Sequence, residues 1–197
     1  MASEKTSLRR QPKGDKRQRT RAALLEAARA VIREKGYDRT TLEEVARRAG
    51  MTTGAIYGNF KNRDELFIAL GHTYWAPVKP QVAPGATFAE AMRAMASATL
   101  AAVGERAPVA VGRLTGLAYA LTNDELRARV QEVTRSSYEV GAEWLRGFDE
   151  RELPMPPEQL VRVIHALIEG LVMQRILTPE LFPDDVFYRA FATFAHE

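Results

Sequence analysis

Residues 41–60 of the 197-residue chain read TLEEVARRAGMTTGAIYGNF, and this stretch decides the fold of the N-terminal third. Thr41 with Glu44 three residues later is the pattern of a capping box, which begins a helix. Gly50 ends that short helix, and a second helix begins at about Thr52. The pattern predicts two short helices joined by a tight turn, a helix-turn-helix. We assign the following apolar residues of this stretch to the core: Leu42, Val45, Ala46, Ile56 and Phe60.

The second helix has an exposed face that a purely structural helix would rarely carry. Gly54 and Gly58 each cost about 1 kcal/mol relative to alanine inside a helix, and both lie opposite Ile56 and Phe60. Tyr57 projects from the same exposed face. Either a partner approaches this backbone closely, or Tyr57 is left to make a contact.

Helical patterns continue on both sides of this motif. Upstream, Leu25, Ala28 and Ile32 recur at helical spacing in a helix that we expect to begin at Arg17. Downstream, Asn62 begins a fourth helix that should reach about Trp75, just before Pro77.

Composition divides the chain into three parts. Residues 1–16 are polar and lack an apolar period, so we expect a flexible basic arm. Residues 17–76 form a helix-turn-helix domain, with the motif itself at about 41–60, and the prolines of residues 77–84 mark a linker. Residues 77–197 carry the longer helical patterns, and no useful segment alternates as a strand does. The predicted fold is all-α, with about nine helices.

Charge separates the two ends of the chain. Residues 1–65 hold sixteen Lys and Arg against nine Asp and Glu, whereas residues 66–197 hold twelve against sixteen. This asymmetry favours a nucleic-acid or membrane contact made by the basic end, or a solvated basic tail with no partner. The longest uncharged stretch has thirteen residues, whereas a membrane span needs about 20. With no cysteine and no apolar leader, the composition favours a cytoplasmic protein without a membrane partner.

Catalytic chemistry has no support in the sequence. None of the three histidines, His72, His165 and His196, stands at a metal-ligand spacing. The chain has neither a nucleophile elbow nor a phosphate-binding glycine motif. We therefore expect no enzyme, no metal and no cofactor.

Residues 17–70 resemble the N-terminal domain of the TetR family of transcriptional regulators. The resemblance is carried by residues 41–60 and by residues 61–66 (KNRDEL) directly after them. The family pattern is Thr, three residues, Ile or Val, Ala, two residues, Ala-Gly-Val-Ser, one residue, Gly, one residue, Leu or Ile, Tyr, one residue, His, Phe and Lys. Asn59 stands where histidine is common, and Gly58 removes a side chain that touches DNA in relatives.

This resemblance implies a DNA contact around the motif. Thr41 and Thr52 begin its two helices, where they hold a phosphate, cap the helix, or do both. Thr53 and Ala55 lie at the first turn of the recognition helix and suit a thymine methyl group. The implied DNA-contacting residues are Arg19, Arg21, Thr41, Thr52, Thr53, Gly54, Ala55, Tyr57, Asn59 and Lys61.

The resemblance also implies a homodimer that reads a palindromic operator in double-stranded DNA. The last two helices, at about 158–177 and 184–196, would form the interface, unless their apolar residues face the subunit's own core. The implied interface residues are Leu171, Met173, Gln174, Arg175, Phe187, Phe191 and Phe194.

The middle helices, at about 87–147, would enclose a pocket for a small-molecule effector, as is usual in the family. The candidate lining residues, which a hydrophobic core would also explain, are Met92, Met95, Tyr119, Tyr138, Trp144 and His165. With few charges among them, we expect an apolar or weakly polar ligand. The predicted function is a ligand-responsive TetR-like repressor that its effector releases from DNA. The alternative is a dimeric DNA-binding regulator without an effector.

Overall fold

The computed structural model describes residues 13–195, and within that range the chain forms nine α-helices and no strand. The prediction of an all-α fold is therefore confirmed. The helices are α1 (Lys13–Lys35), α2 (Leu42–Arg48), α3 (Thr53–Tyr57), α4 (Arg63–Tyr74), α5 (Phe88–Arg106), α6 (Ala110–Thr122), α7 (Asp124–Leu145), α8 (Pro157–Leu177) and α9 (Asp185–Ala192).

The first helix begins earlier than the sequence indicated. Residues 13–16, which the sequence placed in the arm, are helical, and residues 1–12 lie outside the described part of the chain. Gly14 does not prevent this start, because the first N–H groups of a helix have no intrahelical partner to lose. The lysines, arginines and glutamine that follow are also strong helix formers.

Backbone hydrogen bonds hold the turn between α2 and α3. The N–H of Met51 donates to the carbonyl of Ala46 at 2.9 Å, and the N–H of Gly50 donates to that of Arg47 at 3.1 Å. Gly50 has a φ of +65°, which an L side chain rarely adopts. This is a Schellman motif, and it fixes the direction in which α3 leaves α2.

Polar side chains cap the early helices where the sequence marks them. The N-caps are Thr41 for α2, Thr52 for α3, Asn62 for α4 and Thr87 for α5. At Thr87 the full capping box forms. The box predicted at Thr41 is only half formed, because the Glu44 carboxylate pairs with Lys35 at 2.6 Å instead of reaching back to the N-cap.

Helices α4 and α6 pack backbone against backbone. A Cβ atom added to Gly112 would lie 2.1 Å from the carbonyl oxygen of Phe67, and one added to Gly71 would lie 2.8 Å from the backbone nitrogen of Arg113. Only glycine at both positions permits this approach. The helix that follows the helix-turn-helix is therefore held tightly against the C-terminal half.

A single hydrophobic cluster joins buried residues of α1 through α9. Within the C-terminal half, α9 packs on α5 and α7 packs on α8. Among residues 13–195, no helix is long and apolar enough to cross a membrane.

We predict that Gly112→Ala lowers the free energy of unfolding by about 1–3 kcal/mol, because the added methyl group forces α4 and α6 apart. Gly104→Ala is the control, since a Cβ atom there meets nothing within 4 Å. This control should raise stability by about 0.5–1 kcal/mol. Urea denaturation at equal protein concentrations measures both, and an unchanged Gly112→Ala variant would contradict the close approach.

Candidate functional site

The recognition helix α3 turns its predicted DNA-reading groups to solvent. Thr52, Thr53 and Gly54 are exposed, and Ala55 is half-buried. The opposite side of the helix is anchored by Ile56, which is fully buried. The helix ends at Tyr57, so the chain beyond it is a turn rather than a continuing helix.

Tyr57 is 48% exposed, and an acid on α2 orients it. Its hydroxyl donates to Oε1 of Glu43 at 2.7 Å. This hydrogen bond raises the pKa of Tyr57 and lowers the pKa of Glu43, so the phenol is neutral and the carboxylate ionised at neutral pH. The sequence offered no signal for this pair, because Glu43 reads as a solvated acid in the first turn of α2.

Arg21 and Asn59 hold the end of α3 against α1. The Arg21 Nη1 donates to the carbonyl oxygen of Asn59 at 3.0 Å, and the guanidinium lies 4.3 Å from the centroid of the Phe60 ring. The Asn59 Nδ2 donates to the carbonyl of Ala55 at 2.8 Å. Both residues were predicted to contact DNA, but these donors are engaged within the subunit, where they position α3.

The other predicted DNA-contacting residues are accessible. Arg19, Thr41 and Lys61 are exposed. The hydroxyl of Thr41 accepts from the N–H of Glu44 at 3.2 Å. The backbone N–H of Lys61 donates to the carboxylate of Glu65 at 2.7 Å, which leaves the lysine side chain extending from the turn before α4.

Three of the predicted dimer contacts lie in the subunit's own core. Leu171 is 5% exposed, and Phe187 and Phe191 are fully buried. Their burial agrees with the alternative given for them, that they face the subunit's own core, because α9 directs its phenylalanines inward beneath α5. Met173 and Phe194 are half-buried against the same core.

Of the two polar residues predicted for the interface, one is engaged and one is exposed. Arg175 donates to the carbonyl of Phe182 and pairs with Asp184 at 2.7 Å, which ties α8 to the start of α9. Gln174 is exposed. It belongs to a stripe of exposed residues at helical spacing on α8, which comprises Val163, Ala166, Gly170, Gln174 and Leu177.

A cavity of about 430 Å³ lies among α4, α7 and α8. Four of the six predicted pocket residues line it, namely Met95, Tyr138, Trp144 and His165. Met92 does not, because it is buried in the core at 1% exposure. Tyr119 does not either, because it projects to solvent from α6 at 46% exposure.

One end of the cavity carries a charged cluster that sequence reasoning missed. Glu169 on α8 accepts the indole N–H of Trp75, at 2.7 and 2.8 Å from its two oxygens. Arg106 donates to the same carboxylate at 3.3 Å, and Arg113 lies 3.6 Å from it. One residue could have indicated this cluster from the sequence: Arg113 is the only charged residue in the apolar stretch 108–121.

Two family matches cover most of the chain. Residues 24–70 match the bacterial regulatory proteins of the tetR family. Residues 88–197, more than half of the chain, match the C-terminal part of BetI-type transcriptional repressors.

The chain belongs to the TetR family of transcriptional regulators. Regulators of this family bind DNA and form dimers, and they are not enzymes. The resemblance stated from residues 41–66 is therefore confirmed.

Individual relatives and solved structures resemble this chain. The HTH-type transcriptional regulator TtgR of Pseudomonas putida is 49% identical over 53 residues, which are 27% of this chain and 25% of that protein. The matched region is therefore about a quarter of the length of that relative. A transcriptional regulator from Rhodococcus sp. Rha1 shares the fold, with a TM-score of 0.62 at 24% identity and with 88% of this chain and 92% of that one covered. NalD, the secondary repressor of the MexAB-OprM multidrug efflux pump in Pseudomonas aeruginosa, has a TM-score of 0.51 at 25% identity, with 89% and 93% covered.

We predict that Arg21→Ala lowers the free energy of unfolding by about 1–2 kcal/mol, because it removes the hydrogen bond to Asn59 and the stacking on Phe60. Arg33→Ala, at an exposed position of the same helix, should change it by less than about 0.5 kcal/mol. Thermal or urea unfolding compares the two variants. Equal stabilities would mean that Arg21 does not position α3.

Proposed function

We propose that this TetR-family protein is a ligand-responsive repressor, which binds a palindromic operator as a homodimer in the cytoplasm and leaves it when a small effector enters the cavity. The observation that carries the proposal is the position of α4. This helix follows α3 through residues 58–62. Its residues Gly71 and His72 line the cavity. One twelve-residue helix therefore touches both candidate sites.

In this proposal, the helix-turn-helix domain of residues 17–76 binds DNA through three kinds of contact. Thr53, Gly54 and Ala55 meet base edges in the major groove. The N-caps of α2 and α3 donate backbone N–H groups to phosphates. Phosphate contacts also come from Tyr57, Lys61 and Arg19, whereas Arg21 and Asn59 act by holding α3 in place.

The part that spans residues 77–197 dimerises and holds the effector. The exposed α8 stripe supports the first role, because Val163 and Leu177 are 42% and 63% exposed in the isolated subunit. Gly170 lies between them and has no side chain to keep a second helix at a distance. The surface there is open within the subunit, since a Cβ atom at Gly170 would meet nothing within 4 Å. On α9, Tyr188 is also exposed, at 40%.

The effector acts by moving α4. An apolar ligand body between α7 and α8 presses on the α4 residues at the cavity wall, and α4 carries α3 with it. The two recognition helices of the dimer then no longer match successive half-sites, which lie roughly 34–36 Å apart or a multiple of that. Coupling between two sites is typically about 1–3 kcal/mol, so operator affinity should fall roughly 5- to 150-fold.

We predict that Tyr57→Phe and Lys61→Ala weaken binding to all DNA sequences about equally, whereas Thr53→Ala changes the preferred sequence. Fluorescence anisotropy with operators selected from a random pool measures both effects. The logarithm of affinity should fall linearly with the logarithm of salt concentration, since several phosphates are neutralised per dimer. Salt-independent binding, or an unaltered Tyr57/Lys61 double variant, would contradict the assignment.

Gly170→Arg should produce monomers, because the long charged side chain stands in the middle of the proposed α8 interface. Gly104→Arg is the matched control, since it also adds an arginine where a Cβ atom meets nothing within 4 Å. Sedimentation velocity should show a dimer for the wild type and for Gly104→Arg. A dimeric Gly170→Arg variant would exclude this stripe from the interface.

The alternative, a dimeric regulator without an effector, differs in one measurable respect. Its operator affinity stays constant when compounds that are verified to bind the cavity are added. A fall in affinity within the range given above supports the ligand-responsive function.

A further inference from the structure

The cavity wall carries more positive than negative charge. Three cationic side chains line it, those of Lys79, Arg106 and Arg113, and Glu169 supplies the one carboxylate among the lining residues. A ligand that enters this cavity therefore meets a net positive potential. A cation can bind such a ligand only where its own donors are not already used by the protein.

Arg106 is fully engaged by the protein. Its Nη2 donates to the carbonyl of Ala76 at 2.7 Å, and its Nη1 donates to Glu169 at 3.3 Å. The guanidinium also lies 4.8 Å from the Trp75 ring centroid, and the residue is 3% exposed. Arg106 is therefore a structural cation, and its charge balances that of Glu169.

Arg113 has no such set of partners. Its Nη2 lies 3.6 Å from Oε2 of Glu169, which is an ion-pair distance but too long for a hydrogen bond, and its guanidinium lies 5.7 Å from the centroid of the Trp75 ring. The guanidinium donates no hydrogen bond to the residues that the structure describes. Its Nε is buried without a partner in the same range. Because a largely buried guanidinium is costly unless its donors are satisfied, this residue is suited to receive an anion.

The two cavity histidines do not add to the positive charge of the cavity at neutral pH. Burial lowers the pKa of His72, and the nearby positive charges of Arg113 and Arg129 lower it further. Burial also lowers the pKa of His165. Both imidazoles are therefore neutral at neutral pH, where each can donate one hydrogen bond and accept one but adds no positive charge for an anion.

Most of the remaining wall is apolar and comes mainly from α7 and α8, with the hydroxyls of Thr134 and Ser137 among it. Its apolar residues comprise Val130, Val133, Val140, Leu145, Val161, Ile164 and Ile168, with Trp144 beside them. A volume of about 430 Å³ is at the small end of the range for ligand pockets, about 300–1,000 Å³. A small ligand would thus have a hydrocarbon or aromatic body.

We propose that the ligand of this cavity is a small amphipathic carboxylic acid, bound as its anion, whose carboxylate pairs with the guanidinium of Arg113 and whose apolar body lies between α7 and α8. The planar guanidinium matches a carboxylate in two parallel hydrogen bonds. This inference rests on the proposed function, because it names the chemical class of the effector.

A cationic ligand fits less well, although a carboxylate and an indole such as those of Glu169 and Trp75 are groups that bind cations. The carboxylate of Glu169 already accepts from Trp75 and from Arg106. An added cation would also face the positive charges of Arg113 and Lys79, which outnumber those that Glu169 can balance once it pairs with Arg106.

Isothermal titration of the full-length protein with matched probes tests the proposal. The probes are 4-phenylbutyrate, 4-phenylbutanol and 4-phenylbutylamine, with octanoate, octanol and octylamine as a second series. Each acid should bind about 10- to 100-fold more tightly than its alcohol, since hydrogen bonds to charged groups are the strong ones. The amines should bind more weakly than the alcohols.

Two variants assign that preference to one side chain. Arg113→Gln should reduce the affinity for each acid to that for its alcohol and leave the alcohol affinity unchanged, which also shows that the variant is folded. Arg135→Gln removes the same charge from an exposed position of α7 outside the cavity lining. It should change acid affinity less than about threefold, because exposed charges are screened.

The inference is overturned if an alcohol or amine binds as tightly as its acid, if neither acid binds, or if Arg113→Gln retains acid affinity. Operator affinity, measured with and without each bound probe, separates this result from the proposed function. A neutral or cationic probe that binds the cavity and releases DNA leaves the proposed function intact and refutes the anionic ligand. An acid that binds selectively without changing operator affinity confirms the ligand class and removes its role as effector.

Discussion

The backbone contact between α4 and α6 determines how the two halves of the protein can move. Gly112 and the Phe67 carbonyl leave no room for a side chain, since a Cβ atom would lie 2.1 Å from that oxygen. Packed interfaces of this kind resist small continuous deformation. Helix α4 must therefore move with α6 or separate from it as a unit. Only residues 58–62 separate the recognition helix α3 from α4. A shift of α6 that carries α4 with it would therefore also displace the DNA-binding surface.

The polar cluster at the end of α4 adds a second attachment. Trp75, just after α4, donates to Glu169 on α8, and Arg106 from α5 holds both Glu169 and the Ala76 carbonyl. Buried ion pairs often contribute little net stability, but losing one partner is costly, so such clusters favour one arrangement over others. An anion on Arg113 would draw that guanidinium away from Glu169. The same event would alter the electrostatics around Trp75, so ligand binding and α4 position would be linked through one carboxylate.

Local features were readable from the sequence, and long-range pairings were not. The turn at Gly50 and the caps at Thr41 and Thr52 follow from residues only a few positions apart, so the helix-turn-helix was predicted correctly. Trp75 and Glu169 are 94 residues apart, and no pattern in the sequence predicts their contact. The α9 phenylalanines show a different limit: their spacing predicts an apolar stripe, but it does not say whether the stripe meets the subunit's own α5 or a second subunit.

The DNA-binding surface combines a rigid backbone with one adjustable side chain. The Schellman turn and the bond from Arg21 to the Asn59 carbonyl fix α3 at both ends, so little ordering remains to be done when DNA arrives. Tyr57 is different, because its hydroxyl donates to Glu43 in the free protein and a phosphate would accept the same proton. An ordinary hydrogen bond contributes about 0.5–1.5 kcal/mol net, whereas one to a charged phosphate contributes about 1.5–3 kcal/mol. Since Glu43 is itself charged, the proposed phosphate contact of Tyr57 adds less to affinity than the full strength of such a hydrogen bond, although its loss should still weaken binding to every sequence.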